Sequence, residues 1–252
     1  MHNAAFAALG LDWIYVAFEV APGGLDAAFA GARALGVGGL SVTVPHKAAA
    51  LAAVDEATAT ARAIGAVNTV VRREDGSLVG DNTDAAGFLA SLAEEGFDPS
   101  GRVCVVVGAG GAASAVVHAL AGAGAAEIVI VNRTEARAVP VAALGGPAGR
   151  VGGLADLECA DLVVNATPIG LAGASPEAVP FDPRMLGPGQ LLVDLVPNPA
   201  VTALMRGALD RGASVAGGLG MLVHQGAAAF ELWTGRAAPV EVMRAAAAGA
   251  LS

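Results

Sequence analysis

At residues 103–113 the chain reads VCVVVGAGGAA, five consecutive apolar residues followed by a glycine-rich turn. Continuous apolar runs of this length are typical of parallel strands that are buried on both faces. The turn fits the G-x-G-x-x-G/A pattern, in which Gly108 permits the tight bend, Gly110 lets the backbone approach a pyrophosphate, and Ala113 allows close helix–strand packing. A tight turn without a ligand also fits this pattern, so the flanking sequence must decide.

Further strand-like runs follow this turn and alternate with helical segments. The predicted strands are residues 127–131, 161–165 and 191–194, and the predicted helices are residues 111–121 and 135–143. This alternation is typical of a doubly wound parallel sheet. The sequence therefore predicts an α/β fold with a Rossmann-type dinucleotide-binding domain over residues 85–217.

The two ends of the chain have a different organisation. Strands are predicted at residues 13–20, 39–44, 67–72 and 77–79, and helices at residues 2–9, 25–35, 47–53, 55–64, 83–95, 221–233 and 240–248. We expect residues 1–84 and 218–252 to form an α/β substrate domain. The substrate would then lie in the cleft between the two domains.

Composition limits the function and the location of the protein. The chain has 252 residues, of which 55% are hydrophobic and 15% charged, and its net charge is −9. Such a charge argues against nucleic acid or an anionic membrane as a partner. No apolar run is long enough for a membrane span, and no secretion leader is recognised, so a cytoplasmic location is expected.

Cysteines and histidines give no sign of a disulfide or a metal site. Cys104 and Cys159 lie in apolar, strand-like runs and are predicted to be buried free thiols. His46, His118 and His224 lack the spacing of metal ligands, so no metal is predicted.

The end of the next predicted strand bears on the choice of cofactor. Residues 127–131 are followed by Asn132-Arg133-Thr134, and Arg133 lies 133 − 108 = 25 positions after Gly108. NAD sites usually place an acidic residue near this point, whereas an arginine binds the 2′-phosphate of NADP. Thr134 could cap the next helix, and Arg137 lies on the same face of its first turn. The pattern favours NADP, although a solvated arginine pair at a helix start is the alternative.

A second group of polar residues could handle a proton. Lys47 begins a predicted helix after a strand and a proline, where the helix dipole disfavours a cation, and Asp84 begins another. A lysine–aspartate pair can pass a proton to or from a substrate hydroxyl. Equally, Lys47 could be a surface residue and Asp84 a helix cap. Thr43 and Asn68 could bind a ligand, or be ordinary strand and turn residues.

Seven segments, taken together and in this order, resemble the shikimate dehydrogenase family. They are SVTVPHK at residues 41–47, GAVNT at 65–69, GDNTD at 80–84, GAGGAA at 108–113, NRT at 132–134, NATP at 165–168 and GLGMLVHQ at 218–225. The resemblance implies reversible reduction of 3-dehydroshikimate to shikimate by NADPH, in chorismate and aromatic amino-acid biosynthesis.

The resemblance also implies roles for individual residues. It makes Lys47 and Asp84 the catalytic pair, without deciding which of them transfers the proton. It implies that Thr43, Asn68 and Gln225 bind substrate hydroxyls. The implied cofactor-binding residues are Gly108, Ala109, Gly110, Gly111, Ala112, Ala113, Asn132, Arg133, Thr134, Arg137, Thr167, Gly218 and Met221.

Two departures from the family pattern concern substrate affinity. Family members usually carry a strand and a Ser-x-Ser segment, whose serines bind the substrate carboxylate, before a stretch like Met1-His2-Asn3. We expect either a start assigned too late or a truncated protein. In addition, Pro197 stands where the family often has a tyrosine, and Tyr15 is the only tyrosine of the chain.

Two alternative functions follow from these features. One is an NAD-using quinate/shikimate dehydrogenase, which an acidic residue at position 133 or 134 would have favoured. The other is a truncated NADP-binding protein with little catalysis. We expect a monomer or a homodimer.

Overall fold

The computed structural model describes residues 1–171 and 177–251, which fold into two α/β units, each built on its own sheet. The described strands are β1 (Gly39–Ser41), β2 (Glu56–Ala57), β3 (Thr69–Arg72), β4 (Leu78–Asp81), β5 (Val103–Val107), β6 (Glu127–Val131), β7 (Gly149–Val151), β8 (Leu162–Asn165), β9 (Leu191–Asp194) and β10 (Ser214–Gly217). The described α-helices are α1 (His2–Ala8), α2 (Leu25–Ala34), α3 (Lys47–Ala53), α4 (Ala59–Ile64), α5 (Asp84–Glu94), α6 (Gly111–Gly122), α7 (Glu135–Ala143), α8 (Ala203–Leu209), α9 (Leu219–Thr234) and α10 (Val240–Leu251).

The larger sheet is parallel and has the strand order β10-β9-β8-β5-β6-β7. Alternate residues of β5 enter two cores: Cys104 and Val106 pack in the core that α6 covers, and Val105 and Val107 in the core that α8 covers. Both faces of the sheet are therefore covered, which confirms the predicted doubly wound α/β class. The chain reverses its direction of winding at β5, and ligands of such sheets bind at the carboxyl ends of the strands beside this point.

The smaller sheet is mixed and has the order β1-β3-β4-β2. A hairpin joins β3 and β4, and Gly76 in its turn has a φ of 86°, a value that favours glycine. Beneath the sheet, Leu25 and Phe29 of α2 pack against Val70 and Leu78.

Helices α5 and α9 cross between the two units and bring them together. A Cβ on Gly87 of α5 would lie 2.5 Å from the backbone nitrogen of Gln225 on α9, so the approach requires glycine. Phe88 of α5 is fully buried in the core of the larger sheet. On its other side α9 packs against α1 and α10 through Phe6, Phe230 and Met243. The start of α5 and the first turns of α9 thereby lie at the boundary of the two units.

Several elements confirm the sequence predictions closely. The strands at residues 103–107, 127–131 and 191–194 and the helices at 47–53 and 135–143 have the predicted bounds. The remaining predicted helices, apart from residues 55–64, begin and end within about three residues of the expected positions.

Residues 13–20 were wrongly predicted to be a strand. Their nearly continuous apolar run fits one, but no described residue forms a ladder with them, and Ile14 and Phe18 are 79% and 74% exposed. The segment is held by its ends instead: Asn3 Nδ2 donates to Tyr15 O over 2.9 Å, and a ring nitrogen of His46 lies 2.8 Å from Val20 O. An apolar run alone does not make a strand, because a strand also needs a hydrogen-bonded neighbour.

Three further predictions need correction. The predicted helix over residues 55–64 divides into the short strand β2 and the helix α4, because Thr58 accepts a hydrogen bond from the backbone of Ala61 and caps the helix there. The strand predicted over residues 39–44 ends at Ser41. Cys104 is buried, as predicted, but Cys159 is exposed, because it ends a 3₁₀ helix on the surface.

Neither a membrane span nor a metal cluster is found in the part of the chain that the structure describes. Over residues 1–171 and 177–251 no helix combines the length and the apolar character needed to cross a bilayer. In the same ranges no three His, Cys, Asp or Glu side chains are grouped so that they could hold a metal ion.

Candidate active site

A cleft of about 430 Å³ between the two units is lined by eight of the residues singled out in the sequence. All five predicted catalytic and substrate-binding residues line it: Thr43, Lys47, Asn68, Asp84 and Gln225. Ala112, Gly218 and Met221 from the predicted cofactor set also line it. A second, wider cleft of about 670 Å³ lies along the other side of α5 and has neither Lys47 nor Asp84 in its lining.

The centre of the smaller cleft is an ion pair. Lys47 Nζ donates a hydrogen bond of 2.6 Å to Asp84 Oδ2. Lys47 is the first residue of α3, and Asp84 is the first residue of α5, where Thr83 occupies the cap position. The side chain of Asp84 is 8% exposed and that of Lys47 22% exposed, so the ammonium is the partner that reaches the open cleft.

Asp84 is held in place by a buried amide. Asn68 Nδ2 donates to Asp84 Oδ1 over 2.9 Å and to Thr83 Oγ1 over 3.0 Å. Asn68 Oδ1 accepts from the backbone nitrogen of Thr83 over 2.8 Å and from Thr69 Oγ1 over 2.9 Å. An asparagine amide has two donor hydrogens, and both are engaged with protein atoms here. Asn68 therefore orients one oxygen of Asp84 and leaves the other to Lys47.

Asn82 fixes the start of the same helix. It is 4% exposed, its Oδ1 accepts from the backbone nitrogen of Asp84 over 3.1 Å, and its Nδ2 donates to Ala66 O over 3.1 Å. These bonds tie the beginning of α5 to the segment that carries Asn68. The sequence analysis did not single out Asn82, and only its place within the GDNTD segment pointed to it.

The wall opposite the ion pair comes from α9. Met221 is 8% exposed and belongs to the core of the larger unit, yet its side chain borders the cleft. Gln225 lies one helical turn further along, and its Nε2 donates to Leu222 O over 2.8 Å. This bond leaves Oε1 as an acceptor and the second hydrogen of Nε2 as a donor.

The glycine turn after β5 has the geometry that a dinucleotide requires. Gly108 has a φ of 122°, and a Cβ there would lie 2.9 Å from Ala166 O. By contrast, a Cβ on Gly110 or Gly111 would meet no atom within 4 Å, so the backbone faces open space. The free N–H groups of the first turn of α6 lie there and favour an anion. Ala113 is fully buried, as close helix–strand packing requires.

The residues after β6 lie at the next strand end. Gly108 N donates to Val131 O over 2.8 Å, which places the end of β6 beside the glycine turn. Asn132 Nδ2 donates to Thr134 O over 2.8 Å and shapes the connection to α7. Thr134 occupies the cap position of α7, but its side chain makes no cap hydrogen bond, contrary to our expectation.

Two arginines on this connection are exposed. Arg133 and Arg137 are both open to solvent, and neither guanidinium forms an ion pair or hydrogen bond within residues 1–171 and 177–251. Two unpaired cations therefore stand near the predicted dinucleotide turn of a protein whose net charge is −9. Such a pair is suited to a phosphate group.

Thr167 lies on the loop after β8, on the other side of the glycine turn. Its Oγ1 donates to Asn165 Oδ1 over 2.7 Å, and its backbone nitrogen donates to the same atom over 3.0 Å. A methyl group of Thr167 would lie 3.3 Å from a Cβ on Gly108. Thr167 is thus placed beside the glycine turn by Asn165.

Sequence reasoning missed four polar residues that line the cleft, His2, Asn3, Tyr15 and Ser41. Burial, the larger cause, and the nearby terminal ammonium lower the pKa of His2 to about 4, so its ring is neutral at pH 7. Its Nδ1 is buried without a hydrogen-bond partner among the described residues. Ser41 begins the SVTVPHK segment, whereas His2, Asn3 and Tyr15 reach the cleft from segments outside the motifs, so no sequence pattern pointed to them.

One signal for Lys47 was present in the sequence and was missed. Lys47 is the only lysine of the chain, whose other strongly basic residues are all arginine. A single lysine in so arginine-biased a sequence indicates chemistry that arginine does not supply, such as proton exchange near neutral pH.

Comparison with known proteins identifies the family of the chain. The profile of the shikimate dehydrogenase substrate-binding domain matches residues 1–70, that of shikimate/quinate 5-dehydrogenase residues 91–170, and that of the shikimate 5′-dehydrogenase C-terminal domain residues 218–248. The shikimate dehydrogenase (NADP⁺) of Moorella thermoacetica is 52% identical, over 96% of this chain and 85% of that protein.

Solved structures show the same similarity. Shikimate 5-dehydrogenase from Thermus thermophilus, in complex with NADP(H) and shikimate, superposes with a TM-score of 0.93 at 40% identity, over 99% of this chain and 93% of that chain. Quinate dehydrogenase from Corynebacterium glutamicum, in complex with NAD, has a TM-score of 0.87 at 32% identity, over 97% and 91% of the two chains. With this extent of similarity, the chain belongs to the shikimate dehydrogenase family.

Proposed function

We propose that the chain catalyses the reversible, NADPH-dependent reduction of 3-dehydroshikimate to shikimate, a step in the synthesis of chorismate and the aromatic amino acids. One observation carries the proposal: the Lys47–Asp84 ion pair, with a distance of 2.6 Å, faces a cleft that Ala112 at the dinucleotide turn also lines. A proton-handling pair and a pyrophosphate-binding turn thus face one space, as hydride transfer to a carbonyl requires.

Lys47 and Asp84 are the proposed catalytic residues. Reduction forms a C–H bond at C3 of the substrate and places a proton on the C3 oxygen. NADPH supplies the hydride when bound. The Lys47 ammonium donates a hydrogen bond to the C3 oxygen and stabilises the negative charge that develops on it. Asp84 holds the ammonium in place, and the pair delivers the proton and receives it in the reverse direction.

Thr43, Asn68 and Gln225 are the proposed ligands of the substrate hydroxyls. Thr43 and Gln225 flank the ion pair in the lining of the cleft. Gln225 Oε1 is suited to accept from a hydroxyl, since its Nε2 is engaged with Leu222 O. Asn68 has both amide hydrogens on Asp84 and Thr83, so its bond to a substrate hydroxyl would replace the bond to Thr83, while the bond to Asp84 orients the catalytic carboxylate.

The residues around the glycine turn fit NADP. Gly108, Ala109, Gly110, Gly111, Ala112 and Ala113 would hold the pyrophosphate, because the open space above Gly110 and Gly111 admits a phosphate. Arg133 and Arg137 would bind the 2′-phosphate, since both are exposed cations at the end of the neighbouring strand. Asn132 and Thr134 would shape the pocket for that phosphate. Thr167, Gly218 and Met221 would border the nicotinamide half of the cofactor.

The domain bounds belong to the same proposal. Residues 1–84 and 218–252 would form the substrate domain, and residues 85–217 would bind the cofactor. The two separate sheets support this division, since one is built from residues 39–81 and the other from residues 103–217. A cytoplasmic location and a monomeric or homodimeric state stay predictions.

The main competing activity is oxidation of quinate or shikimate with NAD. The Corynebacterium glutamicum relative carries the name quinate dehydrogenase and was solved with NAD. At the strand end that selects the cofactor, however, this chain has Arg133 and Thr134 in place of an acidic residue. We therefore favour NADP as the cofactor and shikimate as the substrate.

A steady-state assay tests the proposed function. The purified chain is supplied with shikimate or quinate, each with NADP⁺ or NAD⁺, and the formation of reduced cofactor is followed by its absorbance. The expected result is the highest kcat/KM with shikimate and NADP⁺. A preference for NAD⁺ with quinate would assign the competing activity. Tight NADPH binding without turnover of either substrate would instead identify an NADP-binding protein with little catalysis.

A further inference from the structure

A buried carboxylate lies beneath the cofactor side of the cleft, away from the ion pair. Asp194 ends β9, and in the parallel sheet it lies directly opposite Asn165, which ends β8. Both side chains are fully buried. Two polar side chains thus stand at the carboxyl edge of the sheet, where the loops that face a ligand begin.

Asp194 is bonded to groups from two connections. Its Oδ1 accepts from Asn165 Nδ2 over 2.8 Å and from the backbone nitrogen of Val196 over 3.2 Å. Its Oδ2 accepts from Thr202 Oγ1 over 2.6 Å. Asn165 continues the chain of bonds, because its Oδ1 accepts from both the hydroxyl and the backbone nitrogen of Thr167. The carboxylate therefore joins the loop after β9 to the loop after β8.

Both loops border the proposed reaction space. The loop after β8 carries Thr167 beside the glycine turn. The loop after β9 contributes Leu195 and Pro197 to the lining of the cleft that contains Lys47. A Cβ on Gly218 would lie 2.5 Å from Leu195 O, so the same loop is packed closely against the start of α9.

The carboxylate is not placed there for stability alone. It has no cationic partner among the described residues, and desolvation raises its pKa above the ordinary value despite its hydrogen bonds. Burying a carboxyl group in this way is costly, and apolar replacements of buried polar clusters are often neutral or stabilising. What the group does provide is a set of directional bonds that fix two loops relative to each other.

We propose that Asp194 is a positioning residue which, through Asn165 and the backbone of Val196, holds the two loops that flank the bound cofactor. The proposal rests on the assignment of this cleft to NADPH and substrate. Misplacing a reacting group by about 1 Å can cost about 100-fold in rate, so loss of this connection should appear in both cofactor binding and turnover.

The test uses Asp194→Asn, which keeps the shape of the side chain but replaces one carboxylate oxygen with an NH₂ group. All three partners of Asp194 donate to it, so this new donor would face a group that also donates. NADPH binding to the purified full chain is measured by quenching of tryptophan fluorescence, and kcat and KM are measured with shikimate and NADP⁺. We expect NADPH affinity and kcat each to fall about 10- to 100-fold. Leu204→Ala, in the α8 core at 2% exposure, is the control for general destabilisation. It should lower the melting temperature and leave both constants near those of the wild type well below that temperature.

A second pair of variants separates the positioning role from a folding defect. Asn165→Ser cuts the connection to Thr167 and leaves the bonds of Asp194 to Thr202 and Val196, so it should weaken NADPH binding more than it lowers kcat. The double change Asp194→Asn with Asn165→Asp reverses the donor and acceptor between the two strand ends. It should bind NADPH more tightly than Asp194→Asn alone, because positions 165 and 194 again pair a donor with an acceptor while the carboxylate at position 165 still accepts from Thr167.

The proposal is overturned if Asp194→Asn binds NADPH and turns over shikimate within about twofold of the wild type. It is also overturned if the losses of NADPH affinity and kcat in Asp194→Asn appear only near the melting temperature of that variant, as those of Leu204→Ala would. If Asp194→Asn does not fold, unchanged NADPH affinity in Asn165→Ser overturns it. A wild-type chain that binds NADPH but lacks shikimate activity would contradict the proposed function alone, because the binding measurements stand without turnover.

Discussion

Asn68 Nδ2 lies 2.9 Å from Asp84 Oδ1, and this hydrogen bond determines which carboxylate oxygen faces Lys47. Asn68 is 3% exposed and Asp84 is 5% exposed, so the bond forms out of contact with bulk water. Hydrogen bonds to charged groups in such surroundings are stronger than ordinary ones. The orientation of the Lys47–Asp84 ion pair is therefore established without a substrate.

Removal of the Asn68 amide should impair catalysis through Asp84. Asn68→Ala leaves Asp84 Oδ1 without its donor, so we expect kcat/KM for shikimate to fall by an amount equivalent to about 1.5–3 kcal/mol. Thr69→Val is the matched control, because Thr69 is also buried and bonded to Asn68 Oδ1 but does not touch Asp84. Steady-state kinetics of the two variants decides the point. Equal losses of kcat/KM in both variants would show that any disturbance of the hydrogen-bond network lowers the rate, and that the bond from Asn68 to Asp84 has no specific role.

Two neighbouring glycines should respond differently to alanine. Gly108→Ala places a Cβ 2.9 Å from Ala166 O at a φ of 122°, so we expect a loss of about 1–3 kcal/mol in the free energy of unfolding. Gly110→Ala meets no atom within 4 Å at a φ of −103°, so the fold should remain stable. Its methyl group would nevertheless occupy the space proposed for the pyrophosphate and weaken NADPH binding. Thermal melts and NADPH titrations of both variants test these two expectations. Wild-type stability in Gly108→Ala would show that a Cβ at this position causes no backbone strain.

Arg133 should determine the choice between the two cofactors. A charge-assisted contact to the 2′-phosphate contributes about 1.5–3 kcal/mol, so Arg133→Ala should weaken NADP⁺ binding by that amount and leave NAD⁺ binding almost unchanged. Arg211→Ala, an exposed arginine on the same unit, is the control for loss of one positive charge. Dissociation constants for both cofactors are the measurement. Losses of equal size for NADP⁺ and NAD⁺ would mean that Arg133 does not bind the phosphate.

Stability should depend on pH through His2. Its pKa is lowered from 6.5 to about 4 in the folded chain, chiefly by burial. Between these values the unfolded chain binds a proton that the folded chain does not, so the free energy of unfolding falls as pH decreases from about 6.5 to 4, by up to about 3 kcal/mol. His2→Gln should remove this contribution. Urea unfolding of wild type and variant at about pH 7 and about pH 4.5 measures it, because most of the change falls between these two values. An identical pH dependence in wild type and variant would refute it.

The sequence predicted the larger unit well because its signals are local. Residues 103–113 combine a continuous apolar strand with a glycine turn, and both features depend only on near neighbours. The smaller unit was harder, since the apolar, aromatic and β-branched residues of 13–20 indicate strand propensity but carry no information on a pairing partner. The two-residue strand Glu56–Ala57 is too short to leave a pattern.

The residues of the site could be predicted from the sequence, but the hydrogen bonds between them could not. Lys47, Asp84, Asn68 and Gln225 were all expected in one cleft, and they line it. That Asn68 uses both amide hydrogens on Thr83 and Asp84 depends on how β3 and α5 meet in space, which no spacing in the sequence expresses. For the same reason the contributions of His2 and Tyr15 to the cleft were not foreseen.

Turnover of shikimate with NADP⁺ by Lys47→Ala tests the central claim most directly. We predict that kcat falls about 10²- to 10⁴-fold with little change in KM, because Lys47 acts on the reacting oxygen and not on overall binding. Asp84→Asn should behave similarly, and Lys47→Arg should not restore the rate, because a guanidinium holds its proton too firmly to exchange it. NADPH affinity of Lys47→Ala should stay at the wild-type value, which confirms that the chain remains folded. Near-wild-type kcat in Lys47→Ala would contradict the assignment of the ion pair as the catalytic centre.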